Sequence, residues 1–392
     1  MNKVFKIFAY AFAVILLCGV TASCNKDDDK KDKTVEETIF MFFPYSGLER
    51  ETTENVRNME QALRMRGGLN DKRIIVYKAR STSRASLFEI KCDKDSCYEQ
   101  MIDDELAMSF SSKDQNAVIA DLQRLLQQVK SEAPAKGYSM IIGSHGNGWL
   151  EAMNDLSDFN HSFAKSANGP KKAFGSASSL YQIDNTSLAT ALQNENIHLN
   201  YLMFDACYMC NIETVYDFHN VCDYFIGSPN EILMHGLPYE IVGDALLKHD
   251  YRAVVDGFYD YYSSTYGSLS VIDCSKVDDM VAIVQDINNT CLNPDGELYM
   301  VQKMDGISPT MFFDMQDYMD KFCTDKAKLE RLSAKIKQLV VHTRTTEYAF
   351  TAFTSSNLIK IDTFCGIATS QPTRNADALE KLKSSAWWTA TH

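Results

Sequence analysis

Apolar positions along the chain follow two different periods. Six short runs are continuous rather than alternating: Thr38–Phe43, Arg73–Tyr77, Tyr138–Ile142, Asn200–Phe204, Asp223–Ile226 and Ser268–Ile272. Unbroken runs of this length predict strands covered on both faces in a parallel sheet. Helical spacing lies between them. Glu54–Met65 sets Val56, Met59 and Leu63 on one stripe, and Gly67-Gly68 can end that helix. Gln115–Lys130 carries Val118, Ile119, Leu122, Leu125, Leu126 and Val129 at helical spacing, with Ser112 and Gln115 as a candidate capping box. Such alternation predicts a doubly wound α/β sheet. Between Leu150 and Ile183 the chain is rich in Asn, Ser, Gly, Lys and Ala without a strong period, which suits a functional or mobile loop. Beyond Ser275 the pattern predicts helices over Val277–Asn288 and Ala327–His342, then a mixed tail to Trp387-Trp388. The expected organisation is a core over 38–275 and a mainly helical C-terminal subdomain over 276–392.

The first residues carry an address rather than a fold. Lys3 and Lys6 precede an apolar run from Phe8 to Val20, and Thr21-Ala22-Ser23 leads into Cys24. This is the pattern of a secretory signal over residues 1–23, too short for a membrane span. A cysteine directly after small residues resembles a bacterial lipobox, in which that thiol receives the lipid. Asn25–Lys33 is almost wholly charged and cannot bury apolar surface, so residues 24–37 are expected to be a solvated tether. Acids directly behind the lipid cysteine also resemble the surface-export signal of Bacteroidetes lipoproteins. Together these features predict an outer-membrane lipoprotein exposed at the cell surface and held to the membrane by its lipid.

Charge and cysteine content narrow the function. A formal net charge of -13 argues against a nucleic-acid partner, because phosphate binding wants a basic face. Of eleven cysteines, Cys18 would leave with the signal and Cys24 would carry lipid. The remaining nine are scattered, with no paired C-x-x-C sets of zinc spacing. Cys92 and Cys97 could close a small loop in an oxidising compartment, and the odd count leaves at least one thiol free unless chains are bridged.

Two strand ends carry reactive side chains. His145 follows Tyr138–Ile142 within Gly143-Ser144-His145-Gly146, and Cys207 follows Asn200–Phe204 within Phe204-Asp205-Ala206-Cys207. In an open parallel sheet, ligands sit at the carboxyl ends of strands. A thiol becomes a strong nucleophile as thiolate, and a nearby imidazole can take its proton. Gly146 lacks a Cβ, so its N–H could face a developing oxyanion, with the Cys207 N–H as a second donor. Cys210, three residues on, is expected to pack behind the nucleophile. The other histidines, His161, His198, His219, His249, His342 and His392, read as surface residues.

In this order the two motifs resemble the clan CD cysteine peptidases, which comprise caspases, legumain, gingipains, separase and clostripain. "SHG" after an apolar strand is similar to their histidine motif, and "FDACYM" resembles the clostripain family in particular. The resemblance implies a caspase–haemoglobinase-like three-layer α/β/α sandwich with a mostly parallel central sheet. It implies hydrolysis of protein or peptide substrates, with Cys207 as nucleophile and His145 as general base and acid. It places Asp205 in the S1 pocket, facing a basic P1 side chain. Relatives often have a second acid before a Gly-x-x-Tyr element; here His235 stands in that position, before Gly236-Leu237-Pro238-Tyr239, and Glu231 lies a turn earlier. Relatives are commonly zymogens cut between the histidine and cysteine strands, where this chain offers Lys165, Lys171 and Lys172. Calcium dependence occurs in part of the family; the loop acids Glu151, Asp155 and Asp158 are too sparse to nominate as ligands. The chain is expected to act as a monomer. The competing expectation is a catalytically weak or inactive surface-anchored peptide-binding lipoprotein on the same scaffold.

Overall fold

Each of the six continuous apolar runs is a strand in the computed structural model, which describes residues 34–150 and 174–392 apart from 94–95, 109, 112, 177, 179 and 294–295. The expected signal (1–23), Cys24, the charged run to Lys33, and Lys165, Lys171 and Lys172 lie outside the described residues. In chain order the strands of the main sheet are β1 (Val35–Phe43), β2 (Lys72–Ala79), β3 (Ala85–Asp93), β4 (Ser96–Leu106), β5 (Ala135–Gly143), β6 (Leu199–Asp205), β7 (Cys222–Gly227), β8 (Ser268–Asp273) and β9 (Val340–Thr345). Their spatial order is β9-β8-β7-β6-β5-β1-β2-β3-β4. The five central strands from β7 to β2 are parallel, whereas β3, β4, β8 and β9 are added antiparallel at the two sides. The sheet is therefore mixed. Ser268–Ile272 reads like its neighbours because burial, not strand direction, sets the apolar run.

The helices are α1 (Glu49–Arg66), α2 (Gln115–Glu132), α3 (Asn185–Asn194), α4 (Ile212–Phe218), α5 (Tyr239–Lys248), α6 (Tyr251–Tyr262), α7 (Val277–Thr290), α8 (Met315–Phe322) and α9 (Lys326–Leu339), followed by two short C-terminal helices. Side chains of successive strand residues point to opposite faces, so each central strand feeds two cores. Phe40, Phe42, Met140, Ile142, Leu202 and Phe204 pack with residues of α2, α3, α4, α7, α8 and α9. Ile39, Met41, Phe43, Ile141, Tyr201 and Met203 pack with α1, α5 and α6. This is the expected three-layer sandwich.

Gly67 ends α1 in the left-handed conformation (φ 84°), as its sequence position predicts. The cap of α2 is different from the expected Ser112–Gln115 pair. Asp114 accepts hydrogen bonds from the Asn116 and Ala117 N–H groups at 3.0 and 3.2 Å. Gln115 instead accepts from the Asp184 N–H and the Ser187 hydroxyl, tying α2 to the start of α3. The helix expected to reach His342 stops at Leu339, and the chain continues as β9, antiparallel to β8. Residues 34–392 form one compact unit, and β9 completes the sheet, so the segment after 275 shares the core of the segment before it.

Strand β1 begins at Val35, two residues before the expected end of the tether at 37. Glu37 is consequently not solvated but 2% exposed. Its carboxylate accepts hydrogen bonds from the Asn200 side chain at 2.8 Å and from Lys72 and Ser139, and lies 2.9 Å from His249 Nε2. His249 is thus a buried-network partner rather than a free surface residue; His198, His219 and His342 likewise pair with Asp223, Asp278 and Asp256. Burial pushes the Glu37 pKa up, but the bonds from His249, Lys72, Ser139 and Asn200 outweigh it and hold the group down at about 2. An acid held below its unfolded value near 4.5 contributes stability above that pH, lost as pH falls toward about 2. Glu37→Gln should lower the unfolding free energy at pH 7 by about 3 kcal/mol, and the difference from wild type should shrink at pH 3 in urea titrations.

Cys92 and Cys97 are bonded across the β3–β4 turn, as their spacing predicts, and Cys291 bonds Cys323. Cys207, Cys210, Cys222, Cys274 and Cys365 are free thiols.

Candidate active site

Strand register sets the two strand ends that carry His145 and Cys207 side by side. In the parallel β5–β6 pair, Gly143 stands opposite Asp205. The Ser144 N–H continues that ladder to the Asp205 carbonyl at 3.3 Å. His145 and Cys207 each lie two residues beyond the paired positions, at the carboxyl ends of adjacent strands. The two loops touch through backbone. A Cβ on Gly146 would lie 2.5 Å from the Cys207 carbonyl oxygen and 2.8 Å from the Ala206 Cβ, so only glycine permits this approach.

Cys207 is presented by a strained turn. Tyr208, the next residue, has φ 61°, a left-handed conformation that costs a non-glycine residue on the order of 1–3 kcal/mol. Its surroundings hold it there. The Tyr208 N–H donates to the Asn230 carbonyl at 2.9 Å, its hydroxyl to Glu231 at 2.5 Å, and its ring stacks on Phe312 with centroids 5.0 Å apart. Asn211 Nδ2 donates to the Tyr208 carbonyl at 2.6 Å while Asn211 Oδ1 caps α4 through the Thr214 N–H. Cys210 is fully buried behind the turn, with its thiol donating to the Gly366 carbonyl at 3.4 Å.

His145 and Cys207 line one cleft of about 490 Å³. Burial lowers the His145 pKa, favouring neutral imidazole. Burial pushes the Cys207 thiol up to about 12, and the Glu231 charge adds to the rise. Among the described residues, the Cys207 Sγ makes its hydrogen bonds with the Ile232 backbone, donating to its carbonyl at 3.6 Å and accepting from its N–H at 3.4 Å. Both shifts favour the uncharged forms, so one cleft is lined by a neutral thiol and a neutral imidazole. Hydrogen bonds between nucleophile and base are commonly loose before substrate binds.

Asp205 lies on the cleft floor and is 6% exposed. Its oxygens accept from the Leu237 N–H at 3.0 and 3.1 Å, from the Tyr239 hydroxyl at 3.0 Å and from Asn55 Nδ2 at 3.5 Å. The Gly-Leu-Pro-Tyr segment is thus a clamp on this carboxylate, and a Cβ on Gly236 would strike Asp205 Oδ2 at 2.5 Å. Burial raises the Asp205 pKa to about 6, with the Leu237 and Tyr239 bonds opposing the rise.

The expected partners of Asp205 divide. His235 is exposed and is not among the residues lining the Cys207 cleft; it lines an adjoining hollow that shares Glu51, Asn55 and Gly236 with that cleft. The turn at Gly236 (φ 69°) directs the chain so that Met234 and Gly236 line the cleft and the residue between them does not. Glu231 does line the cleft, and its carboxylate also accepts from the Ala352 N–H at 3.1 and 3.2 Å. Several cleft residues carry no sequence signal: Glu51 and Asn55 from α1, and Phe350, Ala352 and Phe353 from beyond β9. A further brace joins the histidine loop to the tail. Trp149 Nε1 donates to Ser370 Oγ at 2.7 Å, and the Ser370 N–H donates to buried Glu213 at 2.8 Å. Among the described residues no group of three or more His, Cys, Asp or Glu side chains is disposed to hold a metal ion. Glu151, Asp155 and Asp158 lie outside the described residues.

Comparison with known proteins agrees with this geometry. The model of the clostripain family (peptidase C11) matches residues 47–367. A secreted C11 cysteine protease from Bacteroides thetaiotaomicron, "iotapain", is 32% identical, with a TM-score of 0.83 over 92% of this chain and 100% of its own. A clostripain from the same organism, in complex with the peptide inhibitor BTN-VLTK-AOMK, is 37% identical over 54% of this chain and 96% of its own, with a TM-score of 0.52. An inactive zymogen C11 protease from Parabacteroides distasonis, 24% identical, shares the fold at a TM-score of 0.76 over 92% of this chain and 99% of its own. A search of curated proteins returns no significant match. With its family model spanning most of the sandwich and both reactive strand ends, the chain belongs to the clostripain family of cysteine peptidases.

Proposed function

We propose that this protein is an endopeptidase that cleaves after arginine or lysine, with Cys207 as nucleophile and His145 as general base and acid. The observation that carries the reading is the β5–β6 register, with His145 and Cys207 two residues beyond the Gly143–Asp205 pair and Asp205 on the floor of the same cleft. As the thiol attacks the scissile carbonyl, its proton passes to His145. The Gly146 and Cys207 N–H groups are the proposed donors to the oxyanion. His145 then protonates the leaving amine, and water, deprotonated by His145, hydrolyses the acyl-enzyme. A peptide ending on lysine in the inhibitor bound by the Bacteroides clostripain favours the same P1 class. Digestion of a positional peptide library by the protein from Lys26 onward tests the reading. Cleavage after Arg and Lys is expected; peptide binding without cleavage would support the receptor reading.

The N-terminal features support a second part of the proposal, a lipoprotein anchored through Cys24 in the outer membrane and exposed at the cell surface. Anchoring of this kind needs more than one acyl chain, which a lipidated N-terminal cysteine can carry. Cys24→Ala should move the protein from the membrane fraction to the soluble fraction on cell fractionation, and unchanged partitioning would count against the lipid. We also propose a precursor form cut at Lys165, Lys171 or Lys172, detectable by N-terminal sequencing of the processed chains.

A further inference from the structure

We propose that Glu51 is the second carboxylate of the basic P1 pocket, a specificity residue meeting the side-chain charge that Asp205 alone cannot neutralise. This inference rests on the peptidase reading above. Asp205 is heavily committed, since the Leu237 N–H, the Tyr239 hydroxyl and Asn55 Nδ2 already bond its two oxygens. An arginine or lysine entering the cleft needs a carboxylate with acceptor capacity to spare. Glu51 and Asn55 line both the Cys207 cleft and the adjoining hollow, whereas exposed His235 lines the hollow and is not among the cleft residues, and the Glu231 carboxylate already serves Tyr208 and Ala352. Glu51 remains.

Its position follows from helix geometry. Glu51 and Asn55 are one turn apart on α1, and residues at i and i+4 share a helix face. Asn55 reaches Asp205 directly, so the face that carries Glu51 is the face turned to the pocket. Both residues line the cleft that holds His145 and Cys207. The Glu51 side chain is 14% exposed, and its Oε1 lies 3.2 Å from the guanidinium of Arg50, which is 89% exposed. That pair is easily exchanged, because an arginine in open solvent loses little by releasing its partner. A P1 guanidinium or ammonium would replace Arg50 at Glu51 while Asp205 lies at the pocket floor.

The test uses peptides differing only at P1 (Arg, Lys or norleucine) with the full mature protein. Glu51→Gln should lower the Arg-to-norleucine ratio of kcat/KM tenfold or more, and Glu51→Asp should recover part of the loss. A second measurement needs no turnover. A fluorescein-labelled peptide ending in arginine is bound to Cys207→Ala and to Cys207→Ala/Glu51→Gln, read by anisotropy. Binding at least tenfold weaker in the double variant supports the assignment, and binding within twofold overturns it. An unchanged Arg-to-norleucine ratio in Glu51→Gln also overturns it. Failure of the wild-type protein to cleave any of the three peptides sinks the peptidase reading, while the binding comparison still decides the role of Glu51.

Discussion

Cys207→Ala should abolish peptide hydrolysis and covalent labelling by thiol-reactive peptide ketones, with turnover down by at least about a thousandfold and the fold intact. Among the described residues the thiol's hydrogen bonds are two long ones with the Ile232 backbone, so its removal leaves the strained Tyr208 turn with all of its own bonds. His145→Ala should lose most activity for a related reason. With the Cys207 thiol pushed up to about 12, almost no thiolate exists at neutral pH, and attack depends on a base able to take the proton. Burial lowers the His145 pKa and keeps that base neutral into mildly acidic solution. Activity should therefore persist below pH 6.5 and fall once His145 protonates. Because nucleophile and base act as a unit, the double variant should be little worse than either single one. Near wild-type turnover in Cys207→Ala would remove the nucleophile from this account.

Asp205→Asn should cut kcat/KM on arginine substrates by roughly a hundredfold, with a smaller effect on neutral P1 residues. The replacement keeps one oxygen for the Leu237 N–H and a similar volume against Gly236, so the loss reports charge. The same group predicts a pH dependence. Burial raises Asp205 to about 6, so its negative charge is present above that pH and is lost as pH falls through it. The wild-type preference for Arg over norleucine should weaken between about pH 7 and pH 5, and Asp205→Asn should flatten that change. A pH-independent preference in the wild type would exclude Asp205 as the titrating partner of the P1 charge.

The legible parts of the sequence are those in which one local rule decides the outcome. Six of the buried strands were readable because coverage on both faces favours unbroken apolar runs, whereas β3, buried over residues 85–90, has Ser86 and Glu89 interrupting its run. The edge strands escaped for the converse reason. Strand β4 is largely exposed, with Glu99, Gln100, Asp103, Asp104 and Glu105 along it, and carries no apolar run to recognise. Strand β9 was absorbed into a helix because Leu339-Val340-Val341 continues the apolar pattern of α9 without a break. The residue that caps α2, Asp114, stands inside the Ser-x-x-Gln stretch, two positions after Ser112.

The sequence by itself determined the placement of His145 and Cys207 at two strand ends, because His145-Gly146 and Asp205-Ala206-Cys207 are contiguous and follow buried strands. It also carried the Cys92–Cys97 bond, since a spacing of five residues brings the thiols together across one turn. Only the tertiary structure decided what surrounds those residues. Glu51 and Asn55 come from α1, Glu231 and Ile232 from the loop after β7, and Phe350 and Phe353 from beyond β9. Apart from Glu231, no local pattern marks them, because each meets the cleft through partners more than twenty residues away. The same holds for Glu37 and His249, which read separately as tether and surface and become one buried network. Periodicity records which face of an element is covered; it holds no record of which distant side chain covers it, and that pairing exists only once the layers have packed.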